Sequence, residues 1–405
     1  MSNPYQPPQA PEKLPISRSW ALFGHISPEQ FMKTYWHKKP LLVRGAIPAF
    51  KLAEQDQEPL DSPISYAELV KLASQENVES RLIQSQPWRF DHGPFSRKMI
   101  PKTDEHNWTL LLQGMEAHHR SAASILSWFR FIPDARLDDL MISIAGIGGG
   151  VGPHFDSYDV FLVQMSGRRQ WRISTQKDLS LNPKLPLKIL QKFQCEQEWI
   201  LEPGDMLYLP PHVAHDGIAL DPGCQTWSVG FRSPSFKELL QEGLWRLAES
   251  LEDIGDLEKK YADPKQLATT NAEQLPKELA SQLSDKLASL KLHQPEAFLS
   301  GITAYLSEPK QQAWFNGPQK PMSVRSFQAK LSSANLLPNA NTRILSLGKR
   351  VFCNGEEVSK NQPMDITKAW LELSAKKRLS KSSIKNAAKS SLYEAYIAGW
   401  LIFED

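Results

Sequence analysis

Short apolar runs, broken by glycine and proline, fill the middle of the first half of the chain. Residues 41–43, 139–144, 160–165, 170–173, 205–209 and 226–231 are runs of three to six positions, each with two or more apolar residues, punctuated by glycine and proline. Runs of this length in succession predict strands, and several of them predict a β-sandwich or barrel. Helices frame them. At Ser27-Pro28-Glu29-Gln30 a capping serine, a first-turn proline and a box-closing glutamine announce a helix, and residues 108–116 read as another.

The period changes at Ser235. Ser235 and Glu238 repeat the capping-box pattern, and Leu240, Leu244, Leu247, Leu251 and Ile254 recur at spacings of 4, 3, 4 and 3. That is one apolar stripe on an amphipathic helix, to be packed on its own chain or on a second copy. Further helical stretches run to about residue 307. Beyond them, residues 343–347 and 351–352 with a turn at Asn354-Gly355 predict a hairpin. A helix over 366–379 follows, then a helix from Leu392, Gly399, and an apolar strand over 400–403. Helices with a terminal β-wing suggest a winged-helix module. The predicted class is α+β, with a flexible, proline-rich leader (1–19), a barrel domain (20–234), a helical region (235–307) and a winged-helix-like domain (308–405).

Composition narrows the class. With 405 residues, two to three domains are expected. A net charge of +2 argues against a nucleic-acid or membrane binder over the whole chain, but residues 301–405 hold 15 Lys and Arg against 8 Asp and Glu, a net of +7. Cys195, Cys224 and Cys353 are far apart and lack CxxC spacing, which disfavours disulfides and a cysteine zinc site and fits a reducing cytosol. The first residues lack the apolar core of a signal peptide, and no apolar run reaches the roughly 18 residues of a membrane span.

The chemistry concentrates in Gly148-Gly149-Gly150-Val151-Gly152-Pro153-His154-Phe155-Asp156. On a strand, side chains two apart share a face, so His154 and Asp156 reach one ion. The glycines permit a close backbone approach or a bend. A third ligand is expected after the Pro203-Gly204 turn and the 205–209 strand, where His212 and His215 follow Pro210-Pro211; spacing leaves the choice between them open. Two histidines and a carboxylate form the facial triad of non-haem Fe(II) oxygenases, whose open positions take a 2-oxo acid and dioxygen. One of Arg168, Arg169 and Arg172, beyond the Ser166-Gly167 turn, is expected to face inward and pair with the co-substrate's far carboxylate. A metal-free barrel and a zinc hydrolase are the competing readings of the same residues.

These segments resemble a known family. Gly-Val-Gly-Pro-His154-Phe-Asp156-x-Tyr158-Asp159, Gly167-Arg-Arg169-x-Trp171 and Glu-Pro-Gly-Asp205-x-Leu-Tyr-x-Pro-Pro-x-x-x-His215-x-Gly217 are similar to the bacterial ribosomal oxygenases of the JmjC/cupin class. So are residues 35–45, YWHKKPLLVRG, and 107–111, NWTLL. The resemblance is continuous from about residue 31 to 234. It implies a double-stranded β-helix barrel, a helical dimerisation region and a C-terminal winged-helix domain. It implies Fe(II), 2-oxoglutarate and O2, and hydroxylation of an arginine in large-subunit ribosomal protein L-sixteen by a cytoplasmic homodimer. By the same resemblance His154, Asp156 and His215 are the iron ligands, Arg169 binds 2-oxoglutarate, and Ser143 is a second co-substrate candidate. Tyr158 and Asp159 are candidate contacts to the substrate arginine, unless they satisfy barrel hydrogen bonds instead. The alternatives are a histidine hydroxylase of another ribosomal protein, an oxygenase of a small molecule, and a non-catalytic ribosome- or RNA-binding adaptor. The adaptor would use the basic run Lys376, Lys377, Arg378, Lys381, Lys385 and Lys389.

Overall fold

The computed structural model describes residues 3–11, 14–55, 60–249, 275–289, 295–381, 384 and 390–404. They form two compact units, Met1–Ser233 with Gln311–Trp314, and Pro234–Lys310 with Phe315–Asp405.

In the first unit the strands are β1 (Asn3–Pro4), β2 (Leu41–Val43), β3 (Leu60–Asp61), β4 (Ser80–Gln84), β5 (Arg89–His92), β6 (Trp108–Leu112) and β7 (Leu137–Ala145). After them come β8 (Val160–Ser166), β9 (Arg169–Ser174), β10 (Gln197–Leu201), β11 (Met206–Leu209), β12 (Ala214–Ala219) and β13 (Cys224–Phe231). Helices α1 (Pro28–Thr34), α2 (Pro48–Gln55), α3 (Tyr66–Ala73) and α4 (Arg120–Ser127) accompany them. The Ser27 hydroxyl accepts from the Gln30 amide at 3.1 Å, as a capping serine does. One sheet runs β2-β11-β8-β13-β7-β6-β4-β5 and the other β10-β9-β12, with antiparallel pairing throughout both.

The two faces of the long sheet have different tasks. Along β8, Phe161, Val163 and Met165 point outward with Tyr208, Trp227 and Ile142, and pack on Phe23, Phe31, Ile125 and Phe129 of the surrounding helices and loops. Val160 and Leu162 point the other way and join Trp171, Ile173, Leu201, Leu207 and Leu209 between the sheets. Both faces are covered, so the strands read as continuous apolar runs without polar alternation. This explains one misreading: the predicted helix at 108–116 is the strand β6, every residue of it buried, between β4 and β7. A five-residue apolar run carries no period that separates helix from strand.

The expected leader is not loose. Asn3 and Pro4 pair in parallel with Leu60 and Asp61, and the Tyr5 ring is buried 5.2 Å from Phe50. Further along, Pro8 accepts from the Trp128 indole at 2.8 Å, and the Gln9 amide reaches Ser124 at 2.9 Å. Prolines hold this stretch extended, which suits a segment laid along a surface rather than one left free.

The second unit holds α5 (Phe236–Glu249), α6 (Lys277–Ser289), α7 (Pro295–Leu306), α8 (Val324–Leu331), α9 (Met364–Lys376) and α10 (Ser391–Ile397). Its strands are β14 (Leu336–Pro338), β15 (Ile344–Leu347), β16 (Arg350–Cys353), β17 (Glu356–Glu357) and β18 (Leu401–Phe403). Helix α7 packs on both α5 and β15, so no break falls at the expected boundary near residue 308. Two residues of the predicted leucine stripe, Leu240 and Leu244, stand largely in solvent. Gly243 is the buried residue of α5, whereas Leu240 and Leu244 are 52% and 59% exposed; Leu251 and Ile254 lie outside the described residues. The hairpin turns one step earlier than predicted, at Gly348 between β15 and β16, while Asn354-Gly355 joins β16 to the short β17. The terminal strand β18 pairs with β14 rather than with this hairpin. Phe327, Leu331, Ile366, Trp370, Leu392 and Leu401 close the core. Among the described residues, no helix is long and apolar enough to cross a membrane.

A docked first segment has a measurable consequence. Tyr5→Ala is expected to lower the stability of the first unit by about 2–4 kcal/mol, the usual range for emptying a buried aromatic site. Denaturant midpoints of the two proteins check it, since a loose leader leaves the midpoint unchanged.

Candidate metal centre

The site is built on the edge of the smaller sheet. Residues 148–154 run antiparallel beside β12: the Gly148 amide donates to Ala219 at 2.8 Å, and the Ala219 amide donates to Gly149 at 2.9 Å. The ladder resumes at His154 and His215, whose amides and carbonyls exchange bonds of 2.9 and 2.8 Å. Gly149 to His154 is five steps and His215 to Ala219 is four, so one extra residue bulges between the two pairs. Gly150 lies in the bulge, where a Cβ would stand 2.5 Å from the Gly217 carbonyl oxygen. The glycine run is therefore needed for backbone approach. His154 and Asp156 do not sit on a regular strand as expected, and the shared face comes from the bridge to β12 instead. His215 belongs to β12, not to the end of β11.

Directly opposed residues of an antiparallel pair project from the same face. The two imidazole centroids lie 4.2 Å apart, and the ligand atoms of His154, Asp156 and His215 all fall within 4.8 Å of one another. Each ring is oriented by the backbone: His154 Nδ1 is 2.9 Å from the Gly152 carbonyl, and His215 Nδ1 is 2.9 Å from the Val213 carbonyl. A carbonyl only accepts, so both Nδ1 atoms carry the proton and both Nε2 lone pairs are free for an ion. Burial, then the neighbouring His154, hold the His215 imidazole below its ordinary range and keep it neutral, the form that ligates. His212 is excluded from the triad; its amide instead donates to the Asp156 carbonyl at 2.7 Å.

Register then selects among the arginines. On β9, Ile173 is opposite His215, Trp171 opposite Gly217 and Arg169 opposite Ala219, so these three face the metal side. Arg168 is exposed and forms two 2.9 Å bonds with Asp221, and Arg172 pairs with Asp216 on the other face. Arg169 is only 4% exposed, and its Nε and Nη2 have no hydrogen-bond partner among the described residues. A buried guanidinium left this way is costly, and a carboxylate placed against it removes the cost.

The inner face of the long sheet adds polar groups that the sequence reading largely passed over. Ser143 on β7 is buried and donates to the Thr226 carbonyl at 3.1 Å; Thr226 donates to Gln164 at 2.8 Å; the buried Thr109 hydroxyl has no partner among the described residues. The available signal was a polar residue at an inward position of an otherwise apolar strand, such as Gln164 within VFLVQMS.

The two proposed substrate contacts separate. Tyr158 is 38% exposed, its hydroxyl pushed well above its usual value by burial and then by the charge of Asp156. Asp159 is fully buried. It accepts from the Tyr208 hydroxyl at 2.5 Å, with His37 at 3.3 Å and Arg136 at 3.8 Å. Burial raises its carboxyl even against those partners. The residue next to the inward Val160 faces outward on a strand, and these partners fit the structural alternative for Asp159, a group that satisfies hydrogen bonds of the barrel.

Comparison with known proteins agrees with this geometry. A JmjC domain match spans residues 124–239, and an AraC-like ligand-binding domain match spans 191–295. The Escherichia coli ribosomal protein uL16 3-hydroxylase is 34% identical over 336 residues, 81% of this chain and 84% of that protein. The chain belongs to the JmjC-domain ribosomal oxygenases. Its relatives include a probable ribosomal oxygenase of Haemophilus influenzae, 34% identical over 55% of this chain and 54% of that one. The crystal structure of E. coli YcfD superposes with a TM-score of 0.74 at 30% identity, covering 93% of this chain and 98% of that one. A structure of YcfD with cobalt and 2-oxoglutarate gives a TM-score of 0.73 at 29% identity, over 94% and 99% of the two chains. As a member of this family the chain is a 2-oxoglutarate-dependent oxygenase, and its triad and unpaired Arg169 fit Fe(II) and that co-substrate.

Arg169→Ala is expected to raise the 2-oxoglutarate KM on the order of 10- to 100-fold, the loss of a charge-assisted pair. Arg168→Ala, removing an arginine already bound to Asp221, is expected to leave it unchanged. Succinate formation against 2-oxoglutarate concentration checks both.

Proposed function

We propose that this oxygenase hydroxylates an arginine of large-subunit ribosomal protein uL16, the L-sixteen of the sequence resemblance. The carrying observation is the match to the uL16 3-hydroxylase over 84% of that protein's length, with an intact triad on this chain. An arginine substrate is further supported by an acidic neighbour of Tyr158: Asp139 Oδ1 and the Tyr158 ring both lie within 4 Å of where a Cβ on Gly230 would stand. A carboxylate beside a half-open tyrosine suits a guanidinium.

Fe(II) and 2-oxoglutarate, when bound, supply the oxidising power that puts one oxygen of O2 into a C–H bond and the other into succinate, with loss of CO2. The rest is the work of this chain. His154 and His215 offer Nε2 and Asp156 its carboxylate from one side, leaving the opposite side open. Arg169 binds the far carboxylate of the co-substrate, and Ser143, on the inner face of the long sheet, is the second candidate contact to it. Trp171, Ile173, Leu207 and Leu209 keep water from the inner end of the barrel. Tyr158 and Asp139 orient the substrate side chain.

We read the chain as a cytoplasmic homodimer. Phe236, Leu240, Leu244 and Trp245 on α5 are all more than half exposed, as are Leu283 and Leu287 on α6, an apolar display suited to a second copy. We read residues 308–405 as a winged-helix-like module; its basic run is partly neutralised, since Lys376 pairs with Glu372 and Arg378 with Glu404, which weighs against RNA binding as its main task. Lys385 and Lys389 of that run lie outside the described residues.

Ribosomes from cells lacking the protein, incubated with it, Fe(II), 2-oxoglutarate and O2, are expected to gain one oxygen on uL16, read by intact mass and localised to an arginine by peptide fragmentation. The Asp156→Ala protein is expected to produce no gain while keeping its thermal transition. A gain on a histidine of another protein replaces the substrate assignment, and ribosome binding without any gain favours the adaptor. Leu240→Glu with Leu244→Glu is expected to halve the sedimenting mass of the native protein.

A further inference from the structure

Arg169 is not the one buried donor facing the site without a partner. The Trp171 indole N–H is also buried and unbonded among the described residues, in a side chain 5% exposed. On the metal-facing side of β9, Trp171 stands one step from Arg169 and one step from Ile173, the residue opposite His215. Its ring centroid is 5.9 Å from that of His215, and the Arg169 guanidinium lies 5.9 Å from its ring. Across the ladder is Gly217, where a Cβ would stand 2.7 Å from Cζ3 and Cη2 and 3.0 Å from Cε3. The six-membered ring therefore rests on the bare backbone of Gly217. The N–H lies on the other long edge of the indole, turned away from β12.

A buried N–H without an acceptor is rare in folded proteins, and an indole placed in a core normally finds one. The unsatisfied donors here are Arg169 Nε, Arg169 Nη2 and Trp171 Nε1, two positions apart on one face of β9. What is missing is an acceptor with several lone pairs. A carboxylate offers about four such sites, and the bidentate pair with an arginine uses two of them.

We propose that Trp171 is a second positioning residue for the co-substrate: its indole N–H donates to the distal carboxylate that Arg169 holds, and Gly217 seats the ring that carries it. This rests on the co-substrate assignment of Arg169. The same seating makes Trp171 a spacer between the metal-bound end and the arginine-bound end, which favours a 2-oxo diacid of one length.

The test is calorimetric titration of 2-oxoglutarate into the full chain loaded with Mn(II) under anaerobic conditions. Trp171→Phe keeps a ring and deletes the N–H; Trp171→His keeps a ring N–H and reduces the ring. Trp171→Phe is expected to weaken 2-oxoglutarate binding roughly tenfold or more. Mn(II) affinity is expected to stay the same, and kcat at saturating co-substrate to change far less than KM. Trp171→His is expected to bind better than Trp171→Phe. Unchanged affinity in Trp171→Phe overturns the proposal and gives the N–H to a buried water. Equal losses in the two variants overturn it too, because ring volume and not the donor is then responsible. If Arg169→Ala also binds normally, the co-substrate assignment itself has failed, a different result from loss of the Trp171 role alone.

Discussion

The mutual backbone pairing of His154 and His215 is the constraint on which the site depends. Two amide–carbonyl bonds fix the separation of the two chains and send both imidazoles to one side. A second bond on each ring, from Nδ1 to a carbonyl two residues earlier, fixes which nitrogen remains free. No side chain outside the triad is needed to orient the histidines. The ligands are held by main chain, and main chain in a ladder moves less than side chains in a shell. The extra residue between Gly149 and His154 sets the phase of this pairing, so that His154 comes opposite His215.

The outer face of the long sheet works to the same end by another route. Asp159 follows the loop bearing Asp156 and is clamped by Tyr208, His37 and Arg136 beneath an aromatic cluster. The Tyr208 hydroxyl also accepts from the His37 amide at 2.9 Å, so β11 and the segment after α1 are joined at one point. A carboxylate raised by burial yet held by one hydroxyl donor, with His37 and Arg136 at ion-pair distance, ties down the start of β8, and through it the far end of the metal loop.

Much of this was legible in the residues. His154, Asp156 and the strands β7, β8, β9, β11 and β13 follow from spacing and turn chemistry, because turn formers mark their ends. The choice of His215 over His212 did not follow from spacing; the family resemblance preferred it, and it is explained by β12, a strand whose sequence AHDGIA carries no strong apolar signal. Arg169 follows from register, which pairing partners determine and local sequence does not. For Asp159 the residues left two roles open, because a carboxylate beside an active-site tyrosine reads as polar and available, and only its packing reveals Tyr208 and His37 behind it. The first segment was misread for a related reason: proline-rich sequence looks alike whether it is free or laid along a groove, and the difference lies in Leu60, Asp61 and Phe50, which are distant in the chain.

Arg169 ties co-substrate binding to the stability of the fold. A folded chain with an unmatched buried cation is less stable than the same chain with its carboxylate in place, by an amount that grows with the logarithm of co-substrate concentration. Resistance to unfolding and occupancy of the site therefore rise together, and the barrel opens most readily when its co-substrate is scarce.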